Sequence, residues 1–133
     1  MSGTTRRPSP AKLWEQHRAE HLRPREMDAV LCRFLGFRRR RGNTWSRGKK
    51  GTPGYRAHWP GPFRYSTNRN DCAEVEARVL EMGLGQRYAW HLAELIDGFN
   101  YESPLEAWPL FITASPKNRC RALIRTLKEA GAL

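Results

Sequence analysis

The 133-residue sequence lacks any apolar run of about 20 residues, and its first residues, Met1 to Pro8, contain no apolar core of a secretory signal. We therefore expect no membrane span and a cytoplasmic location. Hydrophobic residues nevertheless make up 39% of the chain, and aromatic residues 11%. This is too many for a fully disordered protein, and the length suits one hydrophobic core.

Cysteine is scarce as well, with three residues and no Cys-x-x-Cys pair. Cys32, Cys72 and Cys120 are widely spaced, and each falls on the apolar face of a predicted helix. Their number and spacing predict buried free thiols in a reducing compartment. A structural disulfide or a share in a metal site is the alternative.

The common catalytic motifs are also missing. There is no P-loop and no nucleophile elbow, and Gly83-Leu84-Gly85 lacks the third glycine of a dinucleotide fingerprint. The stretch from His17 through Glu20 to His21 matches the H-x-x-E-H zinc pattern, but a chain of this length leaves no room for the rest of such a hydrolase. We predict no enzyme, no catalytic or metal-binding residue and no cofactor, with a zinc hydrolase as the least favoured alternative.

Acidic residues are scarce in only one half of the chain. Residues 1–69 hold 17 Lys and Arg against 4 Asp and Glu, whereas residues 70–133 hold 7 against 9. The overall net charge of +11 therefore comes from the first half. Such a local excess attracts polyanions and steers them to one side of a protein, whereas an unstructured basic tail is the simpler alternative.

Most of this charge lies in a basic segment, residues 37–64, where Arg, Lys and Gly alternate with aromatic residues. Cations bind phosphates, and aromatic rings stack on nucleobases, so the composition is typical of a surface for single-stranded nucleic acid or a nucleotide. In the alternative, the rings cover the core and the arginines only solvate a loop. The predicted phosphate-binding residues are Arg38, Arg39, Arg40, Arg41, Arg47, Lys49, Lys50, Arg56 and Arg64, and the predicted stacking residues are Trp45, Tyr55 and Trp59.

The apolar spacing predicts the order of the elements. Residues 1–11 have no apolar period and are expected to be disordered, and residues 12–133 are expected to form one domain. Helices are predicted from Pro24 to Leu35, after the capping candidates 66–70 as far as Met82, and from Pro116 to a stop at Gly131, with a weaker helical pattern at 11–22. The basic segment is predicted to lack regular secondary structure, because it is rich in glycine and contains proline, apart from a short extended piece around Trp45.

The remaining stretch predicts the sheet. Residues 87–96 alternate like a strand, Asp97-Gly98 offers a turn, and residues 105–113 would return as the partner strand. Because this strand contains Pro109, it should lie at an edge of the sheet or carry a bulge there. Together these elements predict an α+β fold in a single domain, with helices packed on a small antiparallel sheet as a layered α/β/α sandwich.

Short motifs along residues 24–131 resemble the phage ABA sandwich domain family of small bacteriophage accessory proteins. They are Arg25-Glu26-Met27-Asp28-Ala29-Val30, Leu35-Gly36-Phe37, Tyr65-Ser66-Thr67, Met82-Gly83, Ser115-Pro116 and Cys120-Arg121-Ala122. The resemblance implies the α/β/α sandwich and no established enzymatic activity. It also implies a phage protein, in the host cell cytoplasm, that binds host machinery or its signalling molecules.

Charge and resemblance together give the expected function. It is an accessory protein that captures a phosphate-rich ligand, either single-stranded nucleic acid or a nucleotide second messenger, and thereby counteracts host defence. An inhibitor that binds a host defence protein directly is the alternative. No membrane partner is expected, and the sequence is compatible with a homo-oligomer.

Overall fold

The computed structural model describes residues 22–97 and 108–133. Within these two ranges, five helices accompany one three-stranded antiparallel sheet, which confirms the predicted α+β class. In chain order the elements are α1 (Pro24–Phe34), β1 (Arg38–Arg40), a 3-10 turn (Arg41–Asn43), β2 (Thr44–Arg47), β3 (Arg56–His58), α2 (Arg69–Glu81), α3 (Gly85–Asp97), α4 (Trp108–Thr113) and α5 (Pro116–Glu129).

Three helices begin and end where the capping signals indicate. Pro24 opens α1, and Gly36, just beyond its end, has a φ of 92° that suits a residue without a Cβ. The side chain of Asn68 caps α2 by accepting the N–H groups of Asn70 and Asp71, at 2.9 and 3.2 Å. Ser115 caps α5 in the same way, through the N–H of Asn118 at 3.1 Å. These helix predictions are confirmed.

The predicted hairpin at 87–113 is wrong. Residues 85–97 form α3 and residues 108–113 form α4, whereas the predicted turn and the beginning of the second strand lie outside the described residues. Leu84, Tyr88, Leu92 and Ile96 recur every four residues, so one helical face buries Tyr88 and Leu92 against the core. The alternation of residue types along this stretch is compatible with a strand and with a helix. The helix forms because it buries Tyr88 and Leu92, which lie on one helical face, in the core.

The sheet lies instead in the basic segment, most of which was predicted to be irregular. Only the extended piece around Trp45 was foreseen, and it becomes β2, the central strand. Arg39 pairs with Trp45 across β1 and β2, and Trp45 pairs with His58 across β2 and β3. Gly42 and Asn43 have φ values of 73° and 60°, which only residues tolerant of left-handed backbone accept readily, so they reverse the chain between β1 and β2.

The core is built around α5, which contacts α1, α2 and α3. Trp45 and Phe37 belong to the same buried cluster as the helix side chains, so the sheet is part of this core. Cys32, Cys72 and Cys120 are buried and free, as predicted. In the described part of the chain, no helix is both long enough and apolar enough to cross a membrane.

Candidate phosphate-binding cleft

The loop after β3 is fastened to the turn between β1 and β2. The indole N–H of Trp59 donates to the carbonyl of Gly42 at 3.0 Å, and the N–H of Gly61 donates to the carbonyl of Asn43 at 2.8 Å. Within the loop, Nδ1 of His58 lies 3.0 Å from the carbonyl oxygen of Gly61. These bonds hold residues 59–62 beside the turn and give that end of the sheet a defined shape.

A polar cleft of about 250 Å³ lies between this loop, the start of α1 and the residues that lead into α2. We call it the arginine cleft, because Arg25 and Arg64 both line it. Its other lining residues are Pro24, Asp28, Asn43, Pro60, Gly61, Pro62, Ser66 and Thr67. Three of these carry hydroxyl or amide groups that can also bond to phosphate oxygens.

Within the described residues, the side chains of Arg25 and Arg64 form no hydrogen bond and no ion pair, although the charge of Arg64 acts on the Asp28 carboxyl, and both residues are exposed. Arg25 is the second residue of α1, where the positive end of the helix dipole adds to its charge. The backbone of Arg64 is fixed, because its carbonyl accepts the N–H of Asn68 at 2.8 Å. The two cations are therefore positioned on one cleft and are available to an anion.

Asp28 is the acidic residue of the cleft, and it is 6% exposed. Its Oδ1 accepts the backbone N–H of Ser66 at 2.7 Å, which ties α1 to the segment before α2. Burial raises the pKa of the Asp28 carboxyl above its ordinary value, against the lowering effect of the Ser66 hydrogen bonds and of Arg64. Because two arginines and one carboxyl group line the cleft, the net charge of its lining side chains is positive.

Trp59 stands at the edge of this region with 69% of its surface exposed. Exposure of an apolar ring to water is unfavourable. The indole N–H of Trp59 nevertheless donates to the carbonyl of Gly42, so the ring keeps a fixed orientation while it faces solvent. The neighbouring Arg41 is exposed and has no partner side chain in the described ranges. Among the three predicted stacking residues, Trp59 is thus the one whose ring is largely open to solvent.

Besides Arg64, four of the predicted cations are exposed and form no hydrogen bond or ion pair through their side chains within residues 22–97 and 108–133. They are Arg39, Arg41, Lys49 and Lys50. Arg41 lies at the cleft end of the sheet, whereas both lysines lie in the turn between β2 and β3 at the other end. With about 3.3 Å per residue, the four residues of β2 separate the two ends by about 13 Å.

The other predicted phosphate ligands on the sheet serve the fold. Arg38 donates to the carbonyls of Arg33 and Phe37, and Arg40 donates to the hydroxyl of Ser46 at 3.1 Å. Charged side chains on an edge strand also prevent it from pairing with other chains. The arginine run of β1 therefore does not by itself indicate a ligand.

Arg47 and Arg56 are engaged by an acidic residue of the C-terminal half, Glu74 of α2. Arg56 bonds to the Glu74 carboxylate, and Arg47 lies 3.7 Å from the same oxygen. Arg47 also lies 4.5 Å above the ring of Phe37, and Arg56 lies 5.0 Å above that of Phe63. These two arginines anchor the sheet to α2, so we remove them from the set of candidate phosphate ligands.

The prediction that Trp45 stacks on a ligand is also corrected. Trp45 is 3% exposed and belongs to the core, because β2 directs it inward on the same face as Arg47. Tyr55 is half-buried just before β3. The alternative in which the rings cover the core therefore holds for Trp45, whereas it does not hold for Trp59.

Sequence reasoning missed Arg25, because it lies in a helix outside the basic segment and 39 positions before Arg64. The zinc-like residues His17, Glu20 and His21 lie outside the described residues. Within the described ones, no group of three or more His, Cys, Asp or Glu side chains is arranged to hold a metal ion. Comparisons with protein-family models, curated proteins and solved structures find no match for this chain.

Proposed function

We propose that this protein binds a phosphate-rich ligand, and specifically a single strand of nucleic acid, through the arginine cleft and the adjoining hairpin. The observation that carries the proposal is the pair of unpartnered arginines, Arg25 and Arg64, on a polar cleft beside the exposed ring of Trp59. Cations that contact phosphates together with an aromatic ring that stacks on a base are the usual components of such a site.

The distribution of the remaining cations favours a strand over a single nucleotide. Lys49 and Lys50 lie about 13 Å from the cleft end of the sheet, by the length of β2. One mononucleotide in a cleft of about 250 Å³ would leave both lysines unused. An extended backbone that begins in the cleft and runs along the hairpin would reach them.

The biological role belongs to the same proposal and rests on the sequence resemblance. Small phage accessory proteins often act on host machinery, and capture of a nucleic-acid strand or of a nucleotide signal would counteract a host defence that depends on it. An exposed tryptophan alone would also suit a direct inhibitor of a host protein, because tryptophan often anchors protein interfaces. The position of Trp59 beside a cleft lined by two arginines is what favours nucleic acid.

The Trp59→Ala substitution tests the stacking contact. We expect the dissociation constant for a fluorescein-labelled oligonucleotide of about 12 nucleotides to rise roughly tenfold, since one base–ring stack contributes about 1–3 kcal/mol. The measurement is fluorescence polarisation at low salt with single-stranded DNA and RNA. Trp59→Phe keeps a ring at the position and is the matched control, with an expected change below about threefold.

Two results of that experiment would count against the proposal: no binding by the wild-type protein at low salt, or equal affinities for Trp59→Ala and Trp59→Phe. Unlabelled nucleotides serve as competitors. If a mononucleotide or a cyclic dinucleotide displaces the oligonucleotide at an equal molar concentration, the ligand is a nucleotide signal and the strand assignment is wrong.

A further inference from the structure

A second and larger cavity lies among the helices and shares no lining residue with the arginine cleft. It has a volume of about 500 Å³ and lies between α2, α3 and α4. Most of its wall is apolar, formed by Ala73, Ala77, Leu80, Ala89, Leu92 and Phe111. Ala73, Ala77 and Leu80 of this wall are exposed, so the cavity opens to the surface, and its volume lies within the range of about 300–1,000 Å³ that is usual for small-molecule sites.

Three polar side chains meet at one side of this cavity. The hydroxyl of Tyr88 donates to Oε2 of Glu76 at 2.5 Å, and the guanidinium of Arg119 donates to the same oxygen at 2.9 Å. Arg119 also donates to the backbone carbonyls of Ala114 and Phe111. Burial, together with the neighbouring Glu76 carboxylate, raises the pKa of Tyr88, which therefore remains a hydroxyl donor at neutral pH.

The hydrogen bonds that Glu76 accepts from the described residues go to one of its two carboxylate oxygens. Both donors bond to Oε2, and Oε1 receives no hydrogen bond from the described residues. Arg119 compensates the charge of Glu76, so a ligand at this place needs no charge of its own. Since Glu76 lines the cavity, a ligand that is otherwise apolar and carries one neutral N–H or O–H donor would match it.

We propose that this cavity binds a small, uncharged and mainly aromatic or hydrocarbon molecule that carries one hydrogen-bond donor for Glu76. Ligand sites of a few hundred Å³ are typically apolar, with a small number of polar groups that fix the orientation of the ligand. The volume admits a bicyclic aromatic compound. The alanines of α2 and α3 leave room for a flat ring, since their side chains end at Cβ.

A matched pair of probes tests the proposal on the wild-type protein. 2-Naphthol has an aromatic bicycle and one O–H donor, whereas 2-methoxynaphthalene keeps the bicycle and has no donor. In isothermal titration calorimetry we expect 2-naphthol to bind one molecule per chain and 2-methoxynaphthalene to bind about tenfold more weakly, the loss expected for one hydrogen bond to a charged acceptor. Equal affinities, or no binding of either probe, would overturn the proposal.

The second measurement is 2-naphthol binding to a variant in which a larger side chain fills the cavity. Ala77 is an exposed residue on the cavity wall, so Ala77→Phe should occupy the space and abolish 2-naphthol binding without disturbing the buried core. Ala130→Phe, at the end of α5 and away from the cavity, is the control and should bind as the wild type does. Thermal unfolding of each variant establishes that it is folded. Unchanged 2-naphthol binding by folded Ala77→Phe would place the probe elsewhere and contradict the assignment.

Discussion

Replacing Arg25 and Arg64 together with alanine is expected to weaken oligonucleotide binding by at least about tenfold at ~50 mM salt. Each arginine that contacts a phosphate releases counterions, and for single strands each contact contributes about 0.7 to the slope of log affinity against log salt. Loss of both contacts should therefore flatten the slope by about 1.4. Fluorescence polarisation at about 50 and about 200 mM salt measures both quantities.

The control removes the same charge from another part of the surface. Arg78 and Lys117 are exposed residues of α2 and α5, and neither lines the arginine cleft. The Arg78→Ala/Lys117→Ala variant should keep an affinity within about twofold to threefold of the wild type, because distant charges act only through a screened field. An equal loss in the two double variants would mean that net charge, and not the cleft, governs binding.

Arg119→Ala is expected to lower the free energy of unfolding by about 3–5 kcal/mol, which is a large part of the stability of a domain this size. The Arg119 side chain is 9% exposed and the Glu76 side chain is 19% exposed, so the pair is shielded from water. Without the guanidinium, the Glu76 carboxylate would lose its counter-charge and keep only the hydrogen bond from Tyr88, and the carbonyls of Phe111 and Ala114 would lose the bonds from Arg119. Urea unfolding followed by circular dichroism measures the change.

Arg87→Ala is the matched control, because it also removes an arginine from an ion pair. Arg87 is 57% exposed beside Glu129, and solvent-exposed pairs contribute at most about 1 kcal/mol. A double variant, Arg119→Met with Glu76→Leu, should lose less stability than Arg119→Ala, because it removes both charges together. If Arg119→Ala and Arg87→Ala destabilised the protein equally, the ion pair between Glu76 and Arg119 would not have the structural role assigned to it.

The helices could be predicted from sequence where the capping residues and the apolar period agree. Pro24 and Gly36 bracket α1, and Ser115 with Pro116 opens α5. These signals are local, because a cap bonds to N–H groups two or three residues away and a glycine decides its own φ. Local chemistry of this kind does not depend on the rest of the fold.

The sheet could not be located in the same way. The sequence of α3 fits both the two-residue alternation of a strand and the four-residue repeat of a helical face. Only the packing of Tyr88 and Leu92 against the core shows that it is a helix. β1 consists of three exposed arginines, which carry no apolar pattern, and it is a strand because it pairs with β2. The pair Gly42-Asn43 is typical of a turn. The strands that it joins could not be predicted, because the charged residues around it show no alternation of apolar and polar side chains.

The candidate site combines residues that only tertiary structure brings together. Composition pointed to the basic segment and correctly included Arg64, Arg41 and Trp59 among its exposed members. It could not show that Glu74 engages Arg47 and Arg56, that Trp45 belongs to the core, or that Arg25 of α1 lines the same cleft as Arg64. These arrangements involve residues far apart in the chain, and composition carries no information about them.

The salt dependence of oligonucleotide binding to the wild-type protein tests the central claim most directly. Five of the exposed cations lie in the arginine cleft and in the two turns that flank β2: Arg25, Arg41, Lys49, Lys50 and Arg64. If each contacts a phosphate, at about 0.7 per contact, log affinity is expected to fall against log salt with a slope of about −3.5. A slope near zero, or no binding at ~50 mM salt, would contradict that claim.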